Sequence, residues 1–311
     1  MLMEKDWKDS KNNIHFGEIL TSKDGFDVIE CGACGFKHIV PLSNREIQEE
    51  FYSKEFYQKE IDQYINSHLK DADWWSIEHN EKIDFFETNL SLKSEKRILD
   101  IGSGPGFFLK VASERGWESI GIEPGIPAFE FSSKNLGLNV KNEFFNRDTF
   151  NTNGKFNVVH LNNVLEHIID PLEMLEMARE ILLPNGIICM TSPNDFNPLQ
   201  ILALETLKKD PWWIVPKHHI NYFDLFSFKS LLEKSEFRVL YQTTSFPLEF
   251  FIFMGDDYIG NPEIGSIIHS KRINFEKMFR EGEKNCLKRN IYDKMSEIGL
   301  GREMTIYGKK D

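Results

Sequence analysis

The segment Arg97–Gly106, RILDIGSGPG, constrains this chain more than any other. A short apolar run enters three glycines spaced GxGxG, and a helical pattern from Phe107 to Arg115 leaves them. Glycine takes positive φ without the clash of a Cβ and lets a ligand approach the backbone closely. Strand, glycine loop and helix, in that order, open a nucleotide-binding α/β unit. Dinucleotide folds carry GxGxxG, whose last glycine brings helix and strand together; here Phe107 stands at that position and would hold them apart. Asp100 precedes the loop and Glu123 closes the next apolar run. A carboxylate is a poor neighbour for pyrophosphate and a good one for an ammonium or sulfonium cation. A carboxylate ending the second strand can accept both hydroxyl hydrogens of a ribose. A glycine turn with no ligand has no need of both acids.

The rest of the core alternates in the same way. Ser119–Glu123, Leu138–Lys141, Phe156–Leu161, Gly186–Thr191 and Phe237–Thr243 read as strands after Arg97–Ile101, and Glu303–Tyr307 as a last edge strand. Asp170-Pro171 has the signature of a helix start, with Leu172, Leu175, Ala178 and Leu182 on one face until Leu183-Pro184-Asn185-Gly186 stops it. Ser227 is expected to cap a helix carrying Phe228, Leu231 and Leu232. Strands alternating with helices imply parallel pairing through right-handed crossovers. Four segments follow: a small ribbon-like piece over 1–45, a helical lead-in over 46–90 with Ile61, Tyr64, Ile65 and Leu69 at helical spacing, the core over 91–244, and a C-terminal cap with the final strand over 245–311. The cap is expected to lie over the carboxyl ends of the strands as a lid or substrate wall.

ILDIGSGPGFFL, IGIEP, FNVVHLNNVLEHIIDP and LLPNGIICMTSPN together resemble the successive motifs of class I S-adenosylmethionine methyltransferases, from Arg97 to Asn194 and more weakly to Phe237. They are most similar to the small-molecule branch that includes ubiquinone-pathway and sugar O-methyltransferases. The resemblance implies a Rossmann-like, doubly wound, mostly parallel seven-stranded sheet and S-adenosylmethionine as cofactor. It implies that Asp100, Gly102, Ser103, Gly104 and Gly106 surround the methionine part, that Glu123 holds the ribose, and that Asn142 to Phe145 border the adenine. Asn162 and Asn163 would line the junction of donor and acceptor.

Methyl transfer from sulfonium is an in-line displacement, and a hydroxyl acceptor also needs a base. Histidine is the first candidate near neutral pH. His167 follows the fourth strand, and His219 lies in the aromatic loop Trp212–Phe223 past the fifth; both are expected at the ligand end. His167 reads as base or as loop anchor, His219 as acceptor contact, base or packing. His218 is expected to be exposed, Trp212 and Trp213 to cover a core edge or stack on a sugar, and Asn194 to face the acceptor or make a turn. Arg272 and Arg302 suit an acceptor anion or surface ion pairs.

Cys31 and Cys34 form one CxxC knuckle, and a structural zinc needs four ligands. There is no second CxxC; His15 and His38 are the nearby histidines, and we expect a ribbon without metal. Cys189 and Cys286 are isolated, so no disulfide framework is expected. The polar N-terminus and the lack of a bilayer-length apolar run lead to the expectation of a cytoplasmic protein. A formal net charge of −12 excludes a duplex nucleic-acid partner and leaves a small molecule. The expected reaction is O-methylation of a hydroxyl on a saccharide or sugar nucleotide. Its rivals are C- or N-methylation of a similar sugar, methylation of a quinone or polyketide phenol, and a non-catalytic module that binds a partner protein.

Overall fold

The computed structural model describes residues 4–9, 12–42, 56–91, 96–149, 154–279 and 283–311. The expected boundary between ribbon and lead-in, near residue 45, lies outside them. An antiparallel meander comes first: β1 (Glu4–Lys8), β2 (Ile14–Lys23), β3 (Phe26–Cys31) and β4 (Phe36–Val40). Two helices follow, α1 (Phe56–Lys70) and α2 (Ala72–Asn89).

The core then runs β5 (Arg97–Ile101), α3 (Phe107–Glu114), β6 (Glu118–Ile122), α4 (Ile126–Glu130), β7 (Val140–Lys141), β8 (Phe156–Asn162), α5 (Pro171–Ile181) and β9 (Leu182–Pro193). It continues with α6 (Pro198–Leu207), β10 (Asn221–Tyr222), α7 (Leu225–Lys234) and β11 (Arg238–Thr244). Short α8 (Glu249–Phe253), then α9 (Pro262–Lys277), α10 (Glu283–Glu297) and β12 (Glu303–Lys309) close the chain.

Seven strands form one sheet in the order β11-β12-β9-β8-β5-β6-β7. The five strands from β9 to β7 pair in parallel, and β12 and β11 run antiparallel at the other edge. This is the mostly parallel, doubly wound sheet that the alternation implies. The strand order reverses between β5 and β8, which opens a crevice at their carboxyl ends. Parallel strands are covered on both faces. Leu99, Val159, Ile188 and Ile306 pack on α5 and α7, and Ile98, Val158, Ile187 and Tyr307 pack on α2 and α3. Asp170 caps α5 by accepting from the Glu173 amide at 3.1 Å, with Pro171 at the first turn as expected. The cap of α7 differs from expectation. Asp224 holds it, accepting from the Ser227 amide at 2.8 Å, while the Ser227 hydroxyl accepts from the Asp224 amide at 3.1 Å. Ser227 is thus the third residue of a reciprocal cap.

The meander is joined to the core fold. β10 pairs with β4, Asn221 opposite His38, which extends the small sheet to five strands. Val28 and Ile39 share an apolar cluster with Trp213, Ile214, Ile220 and Tyr222 of the histidine loop. Ile61 and Ile65, one turn apart on α1, bury against Ala128 of α4. The C-terminal helices lean on α2 instead of covering the strand ends. Trp74 donates its indole N–H to Glu276 at 2.6 Å, the Arg272 guanidinium sits 4.5 Å from the Trp74 ring centre, and Lys288 pairs with Glu81 at 2.7 Å. Over α9 and α10 the expected lid is instead a buttress against the lead-in helices. Among the described residues, no helix is long and apolar enough to cross a membrane.

Candidate active site

A cavity of about 400 Å³ opens at the β5–β8 reversal. Its floor is the glycine loop. Gly102, Gly104 and Gly106 have φ of 69°, 53° and 83°, a region that L side chains resist. The loop is tied down by amides of Gly102 and Ser103, which donate to the Ile122 carbonyl at 2.8 and 3.1 Å. A Cβ on Gly104 would meet no atom of the chain and would project into open space, whereas one on Gly106 would come within 2.6 Å of Leu138 and 3.0 Å of Ser132.

Glu123 stands beside the loop, 1% exposed. One carboxyl oxygen accepts from the Gly104 amide at 2.8 Å and the other from the Gly125 amide at 2.6 Å. Burial pushes its pKa up to about 7, against the pull of those amides. Each oxygen keeps a lone-pair direction for a further donor. Asp100 is pushed up to about 8 by burial, with Lys82 opposing. Its carboxyl lies 2.7 Å from Nδ1 of His160, so one proton is shared between them.

The imidazoles on the cavity wall are neutral. Burial lowers His68 and His167 to about 4 and His79 to about 3, and holds His160 far below its ordinary value. Two acids that ionise reluctantly, walled by uncharged imidazoles, make a site where an incoming cation meets no repulsion from the histidines and stabilises carboxylate charge.

Several buried polar atoms here have no partner among the described residues: Ser103 Oγ, Asn163 Oδ1 and both ring nitrogens of His79. Such atoms are costly unless something bonds to them. With the open face of Gly104 and the paired amide–carboxylate grip at Glu123, they fit a ligand that carries a cationic amino acid part and a ribose.

The structure brings Asp100, Gly102, Ser103, Gly104, Glu123, Asn162, Asn163 and His167 together on this cavity. Gly106 lies just outside it and starts α3. Beyond Glu123, Phe144 and Phe145 line the wall. Asn142 does not, because its side-chain amide donates to the Glu123 and Pro124 carbonyls at 2.9 and 3.0 Å. His167 Nδ1 lies 2.7 Å from the His218 carbonyl and donates to it, which leaves Nε2 as the basic nitrogen. His219 stands behind His167, ring centres 4.9 Å apart, and is not among the lining residues; burial lowers it strongly. His219 thus packs behind His167 and does not itself line the cavity. Asn194 turns away and donates to the Gly299 and Gly301 carbonyls at 2.9 and 3.1 Å. Trp213 is buried edge-on to Trp212 against Phe196, covering a core edge. Neither Arg272 nor Arg302 reaches the cavity.

Residues that the sequence did not single out line the wall or stand directly behind it. His68 stacks between Trp75 and Phe107, ring centres 4.3 and 5.0 Å away, with Tyr64 tilted at 4.3 Å. Lys82, 3% exposed, donates to Asn162 Oδ1 at 3.0 Å and pairs with Glu78 at 3.1 Å. Burial opposes its charge, and Glu78 restores it. The four-residue steps from Tyr64 to His68, Trp75 to His79 and Glu78 to Lys82 were the available signal, since each places two polar or aromatic groups on one helix face.

The fold and this site define a class I S-adenosylmethionine-dependent methyltransferase. A family model described as a methyltransferase domain matches residues 74–242, more than half of the chain, and the protein belongs to that family. It uses S-adenosylmethionine. Among curated proteins it is similar to the ubiquinone biosynthesis O-methyltransferase of Histophilus somni, 26% identical over 122 residues, 36% of this chain and 51% of that protein. The ubiquinone biosynthesis O-methyltransferase of Cereibacter sphaeroides is 34% identical over 100 residues, 30% of this chain and 40% of that one. The chain thus spans about half the length of the curated relatives it matches. Among solved structures, the plantazolicin methyltransferase in complex with a pentazolic desmethylPZN analog and S-adenosylhomocysteine superposes with a TM-score of 0.53 at 15% identity, over 86% of this chain and 96% of that one. A methyltransferase from Archaeoglobus fulgidus gives 0.51 at 19%, over 79% and 99%. These two show the fold.

Proposed function

We propose that this enzyme methylates a hydroxyl oxygen of a saccharide or sugar nucleotide, with His167 as general base. The observation that carries the oxygen acceptor is the state of His167. It is neutral, it lines the cavity, and its Nδ1–H is engaged by the His218 carbonyl, so Nε2 is the lone-pair nitrogen. The donor supplies an electrophilic methyl group when bound. In this assignment Asp100 and Glu123 hold its cationic and ribose parts, and Gly104 admits it to the backbone. Lys82 fixes the Asn162 amide at the junction, and His167 receives the acceptor's proton.

The saccharide is favoured by the polar groups on the same wall, Asn162, Asn163, Asp170 and Glu173, which suit a ligand with many hydroxyls. The net charge of −12 weighs against a polyanionic nucleic acid. A phenolic acceptor is the second reading, favoured by the aromatic face of Tyr64, His68 and Phe107 and by relatives named for O-methylation in ubiquinone biosynthesis. The purified chain is incubated with methyl-labelled S-adenosylmethionine and two acceptor panels, sugar nucleotides and catechols, and products are located by mass spectrometry and NMR. Label on a sugar oxygen supports the proposal. Label on a phenol transfers it to the second reading. Label on carbon or nitrogen, or turnover undiminished in His167→Gln, overturns the role of the base.

A further inference from the structure

We propose that His15, Cys31, Cys34 and His38 form a tetrahedral site for a zinc(II)-class cation, which clamps the N-terminal sheet and braces the loop that carries His167. This departs from the expectation of a metal-free ribbon. Sequence spacing offered only one cysteine pair, but strand pairing supplies the other two ligands. Gly17 lies opposite Cys31 across β2–β3, and Ile29 lies opposite His38 across β3–β4. Residues two apart share a face, so His15, Cys31 and His38 all project from one side. Cys34 arrives from the knuckle, where the Gly35 amide donates to the Cys31 carbonyl at 2.9 Å with Gly35 at φ 79°. The Cys34 amide points at Cys31 Sγ at 3.5 Å.

The four ligand atoms lie within 4.8 Å of one another. His15 Nδ1 is 3.2 Å from His38 Nε2, 3.3 Å from Cys34 Sγ and 3.8 Å from Cys31 Sγ. Zinc–nitrogen and zinc–sulfur bonds of about 2.05 and 2.3 Å at tetrahedral angles put N···N at about 3.3 Å and N···S at about 3.5 Å. The cluster therefore has the size of a coordination sphere.

The hydrogen bonding behind the ligands points the same way. His38 Nδ1–H donates to the Ile39 carbonyl at 2.8 Å, which leaves Nε2 bare toward the cluster. His15 Nε2 faces an Asp9 carboxylate oxygen at 3.5 Å. With Nε2 turned to Asp9, His15 presents Nδ1 to the cluster, 3.2 Å from His38 Nε2. A cation among the four atoms would bond both inward nitrogens and leave each imidazole the backing that metal-bound histidines use. Two thiolates and two imidazoles select zinc by softness and geometry. Two thiols release their protons to solvent as two sulfur–metal bonds form, so the dication and two thiolates sum to zero charge, as suits a site where Cys31 and His38 are each 1% exposed.

The bracing follows from His38. It sits opposite Asn221 in the β4–β10 pair, and the Asn221 amide donates to the Leu165 and Ile168 carbonyls at 2.9 and 2.6 Å, on either side of His167.

The reduced, chelator-treated full chain is titrated with cobalt(II) and then with zinc(II), while S-adenosylhomocysteine calorimetry reports whether the core is folded. We expect thiolate-to-cobalt charge transfer and tetrahedral d–d absorption that rise to one equivalent and are bleached by zinc. Cys34→Ser and His38→Gln should lose the tetrahedral signature and still bind S-adenosylhomocysteine. If chelation melts the N-terminal sheet, its recovery on adding zinc supports the site equally. No thiolate band from a folded chain, or a band that survives in Cys31→Ser/Cys34→Ser, overturns it.

Discussion

Replacing Glu123 with Gln probes the donor site through affinity and pH together. The carboxyl is buried, accepts two backbone amides, and is pushed up to about 7 by burial. Only its ionised form offers two charged acceptors to a ribose. At pH 8 about nine-tenths of free Glu123 is ionised, and at pH 6 about one-tenth, so the affinity for S-adenosylhomocysteine should fall about tenfold over that interval. The sign follows from the raised pKa: burial stores a preference for the proton, and a ligand that binds the ionised form must overcome more of it as pH falls. Asp100, pushed up to about 8, adds to the slope. In Glu123→Gln, each charged hydrogen bond to the ribose becomes a neutral one or is lost. At about 1–1.5 kcal/mol each, affinity at pH 8 should drop by about 2–3 kcal/mol, or about 30- to 150-fold. The variant should retain only Asp100's share of the pH dependence. Calorimetric titration at pH 6, 7 and 8 on both proteins checks this. Equal pH slopes, or a variant within about threefold of wild type at pH 8, would refute the assignment of Glu123 to the ribose.

Other perturbations read other parts of the site. His167→Gln should lower single-turnover methyl transfer by about 10²- to 10⁴-fold while leaving S-adenosylhomocysteine affinity nearly unchanged; His219→Phe, one layer behind, should lose far less. Gly106→Ala forces a side chain into φ 83° against Leu138 and Ser132; a loss of about 3 kcal/mol, seen as a fall of several degrees in Tm, is expected, and an unchanged melting curve would be inconsistent with this turn. Lys82→Met unpairs a Glu78 side chain that is 38% exposed and can rehydrate, so the cost should be about 1–2 kcal/mol. In Glu78→Gln/Lys82→Met, denaturant unfolding should show less destabilisation than the sum of the single changes.

Local chemistry and periodicity were enough to write the parallel sheet and to put Asp100, the glycine loop and Glu123 at one end of it. GxGxG between an apolar run and a helix, with Asp100 before it and Glu123 after the next run, needs no distant partner to be understood, because glycine φ and carboxylate charge are properties of the residues themselves. The parallel sheet followed from alternation, and the start of α5 from Asp170-Pro171. What tertiary structure decided depends on register between strands and on which helix faces meet. His160 reaches Asp100 only because β8 pairs with β5 with those residues opposed. His167, and not His219, lines the cavity because its imidazole is hung from the His218 carbonyl. The C-terminal helices buttress α2 because Trp74 offers both an indole N–H to Glu276 and a ring face to Arg272, contacts made by residues about 200 positions apart. His15 and His38 meet the cysteine pair through the pleat of three strands, a pairing that spacing along the chain does not carry, since a shift of one residue in register would turn each of them to the opposite face.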